Sequence, residues 1–115
     1  MDFEQIEDNV IKAINKRLIL KIRKKGYDFD IEMEPYLEGR DFLQYGFVWG
    51  YIPFNDVYYK FYFDFIEKVT VTKTHFEPKT GLQYYFSDEE EHYAGDESIV
   101  HWRNFGRPAP SKTQD

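Results

Sequence analysis

A chain of 115 residues with net charge −6, no cysteine and 20% aromatic residues has room for one packed domain and not for a catalytic domain plus a regulatory one. Disulfides and thiolate metal sites are excluded, the acidic balance argues against general affinity for nucleic acid, and every apolar run stops well short of the roughly 20 residues that cross a bilayer. Two acids among the first four residues, where a secretory signal would be basic, place the chain in the cytoplasm with no membrane partner.

The first element is a helix over about residues 2–16. Phe3, Ile6, Val10, Ile11 and Ile14 recur at helical spacing, Asp2 is a suitable N-cap, and Gln5 stands three residues later as in a capping box. From Arg17 the period changes to two, which predicts strands at about 17–24, 27–34, 42–52, 57–65 and 68–76. The turns fall at Lys25-Gly26, in a Pro35 to Asp41 loop containing Gly39, and at Pro53-Phe54-Asn55-Asp56. Gly46 and Gly50, set among Tyr45, Phe47, Trp49 and Tyr51, bend the third strand sharply. One helix followed by five short, bent antiparallel strands predicts a mainly β, α+β domain: a small five-stranded SH3-like or Sm-like barrel over residues 1–105. Leu82, Tyr84, Tyr85, Phe86, Ile99, Val100, Trp102 and Phe105 make a C-terminal capping segment over about 82–105. The stretch 106–115, with Pro108, Pro110 and no large apolar residue, reads as a disordered tail.

Closing the first hairpin with Lys25-Gly26 as a two-residue turn sets Arg23 opposite Asp28, Lys21 opposite Asp30 and Arg17 opposite Glu34. Ile22 then meets Phe29, Leu20 meets Ile31 and Leu18 meets Met33, so every cross-strand pair is matched. Most of the basic run from Lys12 to Lys25 is thereby a solvated strand face. Lys12, Lys16, Lys24 and Lys25 are left as a candidate basic patch for phosphate.

The fourth strand carries six aromatic rings in Val57 to Phe65. Alternation assigns Val57, Tyr59, Phe61, Phe63 and Phe65 to the core and leaves Tyr58, Lys60, Tyr62 and Asp64 on the other face. That second face is either a stacking surface or the floor under the C-terminal cap. Burial of a tyrosine and stacking of a base have similar magnitudes, so the magnitude does not choose, and the apolar residues of the C-terminal segment favour covering. Phe47, Trp49 and Tyr51 join Tyr58, Lys60 and Tyr62 as candidate ligand-binding residues. His75, His92 and His101 are scattered, no nucleophile motif surrounds Ser87, Ser98 or Ser111, and no glycine loop cradles phosphate. The expectation is a protein that is not an enzyme and uses no metal or cofactor.

Ile31-Glu32-Met33-Glu34-Pro35, the apolar strand ending Gly50-Tyr51, Phe61-Tyr62-Phe63-Asp64-Phe65-Ile66 leading to Lys68-Val69, and His75-Phe76-Glu77-Pro78 together resemble a WYL domain over about residues 10–80. The resemblance implies an SH3-like (Sm-like) barrel of the kind found in bacterial transcription regulators and phage-defence proteins, with nucleotides or single-stranded nucleic acid as ligands. Gly46-Phe47-Val48 stands where the Trp-Tyr-Leu signature belongs, and Phe65 replaces an arginine suited to phosphate.

The leading functional expectation is a non-enzymatic binding module for regulation or phage defence that takes a protein partner, a nucleotide or a single strand. An exposed barrel edge would also serve a homodimer. The alternative is a protein-binding inhibitor or immunity-type protein that docks through an acidic stretch, with Asp88, Glu89, Glu90, Glu91, Asp96 and Glu97 as its candidate contacts.

Overall fold

The computed structural model describes residues 1–86, 90–96 and 100–103. Helix α1, Phe3–Lys16, opens with the capping box foreseen from the sequence. The Asp2 carboxylate accepts from the Gln5 backbone N–H at 2.9 Å, and the Gln5 side chain accepts from Asp2 N–H at 3.0 Å. The helix stops at Arg17, whose φ of 55° turns the chain and whose N–H returns to the Ala13 and Ile14 carbonyls. A left-handed arginine carries about 1 kcal/mol of strain. The Arg17 carbonyl accepts from Phe76 N–H at 3.0 Å and its guanidinium pairs with Asp96 at 2.9 Å, which hold the residue in place.

Strands β1 (Leu18–Lys24), β2 (Asp30–Asp41), β3 (Gly46–Ile52), β4 (Val57–Tyr62), β5 (Ile66–His75), β6 (Gln83–Phe86), β7 (Glu90–Gly95) and β8 (Val100–Arg103) follow, with a 3₁₀ turn, Phe63–Phe65, between β4 and β5. The main sheet is antiparallel in the order β4-β3-β2-β1-β5, and β7 adds to β2. β6 and β8 pair with each other in parallel. The class is α+β as expected, but β4 and β5 are not bonded to one another among the described residues, so the sheet is not closed into the predicted barrel.

Two expectations about β2 are corrected. The first hairpin register is displaced by two residues, with Arg23 opposite Asp30, Lys21 opposite Glu32, Ile22 opposite Ile31 and Leu20 opposite Met33. The connection is longer than a two-residue turn: Tyr27 N–H bonds to the Lys24 carbonyl at 3.1 Å, Gly26 takes φ 85°, and the Tyr27 and Phe29 rings meet edge to face. A slip of two preserves which face each side chain takes, so Leu20, Ile22 and Met33 remain buried as expected. Arg17 pairs with Asp96 in place of Glu34. The Pro35 to Asp41 loop is also corrected, being the second half of a 12-residue strand. Pro35 is tolerated because a bulge between Pro35 and Leu37 interrupts the ladder to β3, just where β1 gives way to β7 on the other flank of β2.

The core has two parts. Ile6, Val10, Ala13 and Ile14 of α1 pack on Leu20, Ile22, Met33, Val48, Phe61, Phe63, Ile66 and Val69, where each large aliphatic side chain contributes about 2 kcal/mol. On the opposite side Tyr36, Leu37 and Phe47 form a second cluster with Trp49, Tyr51, Tyr62, Phe76, Leu82 and Tyr84. The middle of β2 and β3 is therefore buried on both faces. The predicted tail, 106–115, lies outside the described residues.

Candidate functional site

The six aromatic and basic residues proposed for ligand binding are brought together on one face of β3 and β4. Cross-strand pairing sets Phe47 opposite Tyr62, Trp49 opposite Lys60 and Tyr51 opposite Tyr58. The inner half of this face is covered. Lys60 Nζ lies 4.4 Å from the Phe47 ring centroid, 5.5 Å from that of Tyr84 and 5.7 Å from that of Tyr62, and it donates to Glu90 at 2.7 Å. Tyr84 O–H donates to the other Glu90 oxygen at 2.9 Å, and burial followed by that hydrogen bond holds the Tyr84 proton well above the usual phenol range. A lysine set among three rings is already neutralised by a half-buried glutamate, so its charge is satisfied within the chain. Leu82, Tyr84 and Glu90 thus cover this face; the Phe105 considered for the same role lies outside the described residues.

The outer half remains half-exposed. Tyr58 stacks on Trp49 at 5.3 Å and leans on Tyr51 at 5.2 Å. Tyr51 O–H donates to Asp56 at 2.6 Å, and that hydrogen bond leads the effects that push its pKa up to about 12. Lys79 Nζ sits 4.0 Å over the Tyr51 ring and 3.6 Å from Glu34. The Lys79 ammonium and the Tyr51 hydroxyl are thus engaged by neighbours within the chain.

The two ends of the candidate basic patch are not brought together. Lys16 precedes β1 and Lys24 ends it, a separation of about 20 Å at 3.3 Å per residue. Of the acidic stretch, Glu90 and Asp96 turn inward, Asp96 being buried against Arg17, while Glu91 is exposed and accepts from Tyr93 O–H at 3.0 Å. Asp88, Glu89 and Glu97 lie outside the described residues.

A concave site not foreseen from the sequence opens at the end of the sheet where the β1–β2 and β3–β4 connections lie side by side. It is a cleft of about 890 Å³. Ile52 and Phe61 lie toward the core, and Tyr27, Phe29, Phe54, Val57 and Tyr59 stand around it. Val57, Tyr59 and Phe65 were assigned to the core by alternation. Only Phe61 and Phe63 of that set are buried; Tyr59 is 47% exposed and Phe65 leaves the strand in the 3₁₀ turn. The signal that marks the cleft is Phe54, an aromatic at the tip of a tight turn with no described residue covering it, 96% exposed. The lining charges are Lys24, Asp30 and Glu32. Arg23 pairs with Asp30 at 2.8 Å, and Glu32 stands opposite Lys21 in the strand register with its side chain exposed.

Under α1 lies a different feature. Glu38 is fully buried, and neither carboxyl oxygen finds a hydrogen-bond partner among the described residues. Burial first, then the negative charge of Glu7, push its pKa up to about 7 against an opposing pull from Arg40. Arg40 pairs with Glu7 and lies over the rings of Phe3 and Tyr93.

Among the described residues no three His, Asp or Glu side chains converge to hold a metal ion, and no helix is long and apolar enough to cross a membrane. No protein-family model and no curated protein matches the chain. Among solved structures it is similar to proteasome accessory factor B/C (PafBC) of Arthrobacter aurescens, with a TM-score of 0.61 and 19% identity over 68% of this chain and 13% of that one. PafBC contains a WYL domain, and the likeness is one of fold.

Proposed function

We propose that the chain is a non-enzymatic binding module of the regulatory kind, built on a WYL-like sheet and serving bacterial regulation or phage defence, and that its ligand enters the cleft between the β1–β2 and β3–β4 connections. The fold shared with part of PafBC supports the regulatory reading. The observation that carries the ligand site is the cleft itself, at about 890 Å³ within the range of small-molecule pockets and lined by exposed rings at an open sheet end. Exposed aromatics in this number oppose solubility and are retained where something binds. The Tyr58-Lys60-Tyr62 face supports this choice by contrast, because Glu90 and Tyr84 already occupy its lysine. A stacking platform for single strands needs both open rings and an available cation.

Native mass spectrometry of protein recovered from a cell extract, followed by release and identification of bound small molecules, tests the reading. A co-purifying small molecule that is lost in Tyr59→Ala and Phe54→Ala, both with an unchanged melting temperature, is the expected result. Recovery of oligonucleotides whose binding depends on Tyr62 and not on Tyr59 would overturn it.

A further inference from the structure

Resting on the cleft as the ligand site, we infer the class of molecule it takes: a flat, apolar aromatic acid, its ring among Tyr27, Phe29, Phe54 and Tyr59 and its anionic group at Lys24 Nζ. The assignment starts from the lysine. Lys24 is the last residue of β1 and is half-buried, with Nζ 5.2 Å from the Tyr27 ring centroid and 5.8 Å from that of Phe61. Phe61 is only 5% exposed and Tyr27, the nearer ring, is exposed, so the ammonium lies between the floor of the cleft and its rim. Lys24 makes no ion pair among the described residues.

Of the other charges of the lining, Asp30 is held by Arg23 at 2.8 Å, and Glu32 is an exposed carboxylate opposite Lys21 in the strand register. Lys24 is the cation an incoming molecule meets among the rings. Rings favour a flat apolar body through offset or edge-on contact. An ammonium partly removed from water favours an anion, because the charge-assisted hydrogen bond it forms there is stronger than one made in bulk solvent. An uncharged aromatic would leave that ammonium unpaired. A cationic one would face it directly. The cleft has room for a molecule of one or two fused rings with a short acidic arm.

Three probes of one shape and different charge test the inference: naphthoate, naphthylmethanol and naphthylmethylammonium, titrated by calorimetry with amide chemical shifts to locate the site. Naphthoate is expected to bind at least about tenfold tighter than the alcohol, the factor a hydrogen bond to a charged group supplies, with the ammonium weakest. Lys24→Met should reduce naphthoate to the affinity of the alcohol and leave the alcohol unchanged, and Lys24→Arg should keep the preference. Phe54→Ala should weaken all three. Equal affinity for the three, or a naphthoate preference that survives Lys24→Met, would overturn the assigned class while leaving the cleft a binding site. Shifts confined to residues outside 24–32 and 52–61 with every probe would overturn the cleft reading itself.

Discussion

Glu38→Gln is expected to make the protein more stable at neutral pH and to flatten its stability between about pH 4.5 and 7. The carboxyl is fully buried on β2, its oxygens have no partner among the described residues, and the groups that act on it are Glu7 from α1 and Arg40 from its own strand. Its pKa rises from 4.5 to about 7 on folding. That shift is a bias of about 3 kcal/mol toward the protonated form. The sign follows from which state holds the proton. Below about 4.5 both states are protonated and no penalty exists. Between 4.5 and 7 the unfolded chain ionises while the folded one does not, so the folded state binds more protons and stability falls as pH rises. Above 7 the full loss is present and constant. Glutamine has the same shape and no ionisation, and the burial of its unpaired amide lowers stability by an amount that does not vary with pH. Urea denaturation of both proteins across this window gives the difference directly, and the histidines, common to both, cancel. The reasoning fails if the variant loses stability with pH as steeply as the parent.

The observed hairpin register predicts a coupling of about 0.5 kcal/mol for the Arg23/Asp30 pair in a double-mutant cycle and none for Arg23/Asp28; coupling to Asp28 alone would restore the two-residue turn. Tyr62→Ala should destabilise by about 2 kcal/mol, because its half-buried ring packs edge to face on Phe47 at 5.8 Å, and thermal melting checks this against the near-zero change expected of an open stacking ring. Truncation after Phe86 removes Glu90, which neutralises Lys60, and the whole of β7, which pairs with β2. That truncated chain should lose cooperative unfolding in the same assay. Gly39→Ala should weaken the fold by about 2 kcal/mol or more, since its Cβ would meet the Glu91 carbonyl and the Phe47 ring and force β7 away from β2.

Helix α1 was legible in full because its signals are local: a capping pair three residues apart and an apolar stripe that the sheet then buries. The first hairpin was legible only to within two residues. A period of two fixes which face a side chain takes and says nothing that separates registers two apart, and there the connection decides. Lys25-Gly26 suits a tight turn, yet the chain bends between Lys24 and Tyr27 and carries on to Asp30 before pairing resumes. The stretch from Pro35 to Asp41 defeated alternation for a different reason. Pro35, Tyr36, Leu37, Glu38 and Gly39 are all buried, since α1 lies on one side and the Tyr36, Leu37 and Phe47 cluster on the other, and a strand buried on both faces has no polar side to reveal it.

The same limit explains why the cleft was not visible in the alternation of β4. Alternation correctly separated Tyr58, Lys60 and Tyr62 from Phe61, but exposure depends on what the rest of the chain brings against each face. A sheet whose central strands are buried on both sides must be covered twice by a short chain. Helix α1 covers one side, and the segment containing Leu82, Tyr84 and Glu90 covers the other, drawn there by rings and a lysine that it neutralises. Neither cover reaches the end where the β1–β2 and β3–β4 connections meet, and β4 stops pairing at Tyr62 before the chain can close the sheet against β5. Tyr27, Phe29, Phe54, Val57 and Tyr59 are left there with no described element above them. An apolar surface that the chain's own covers leave open is where a ligand gains most from burial, and in this protein that surface holds a lysine without an ion pair among the described residues.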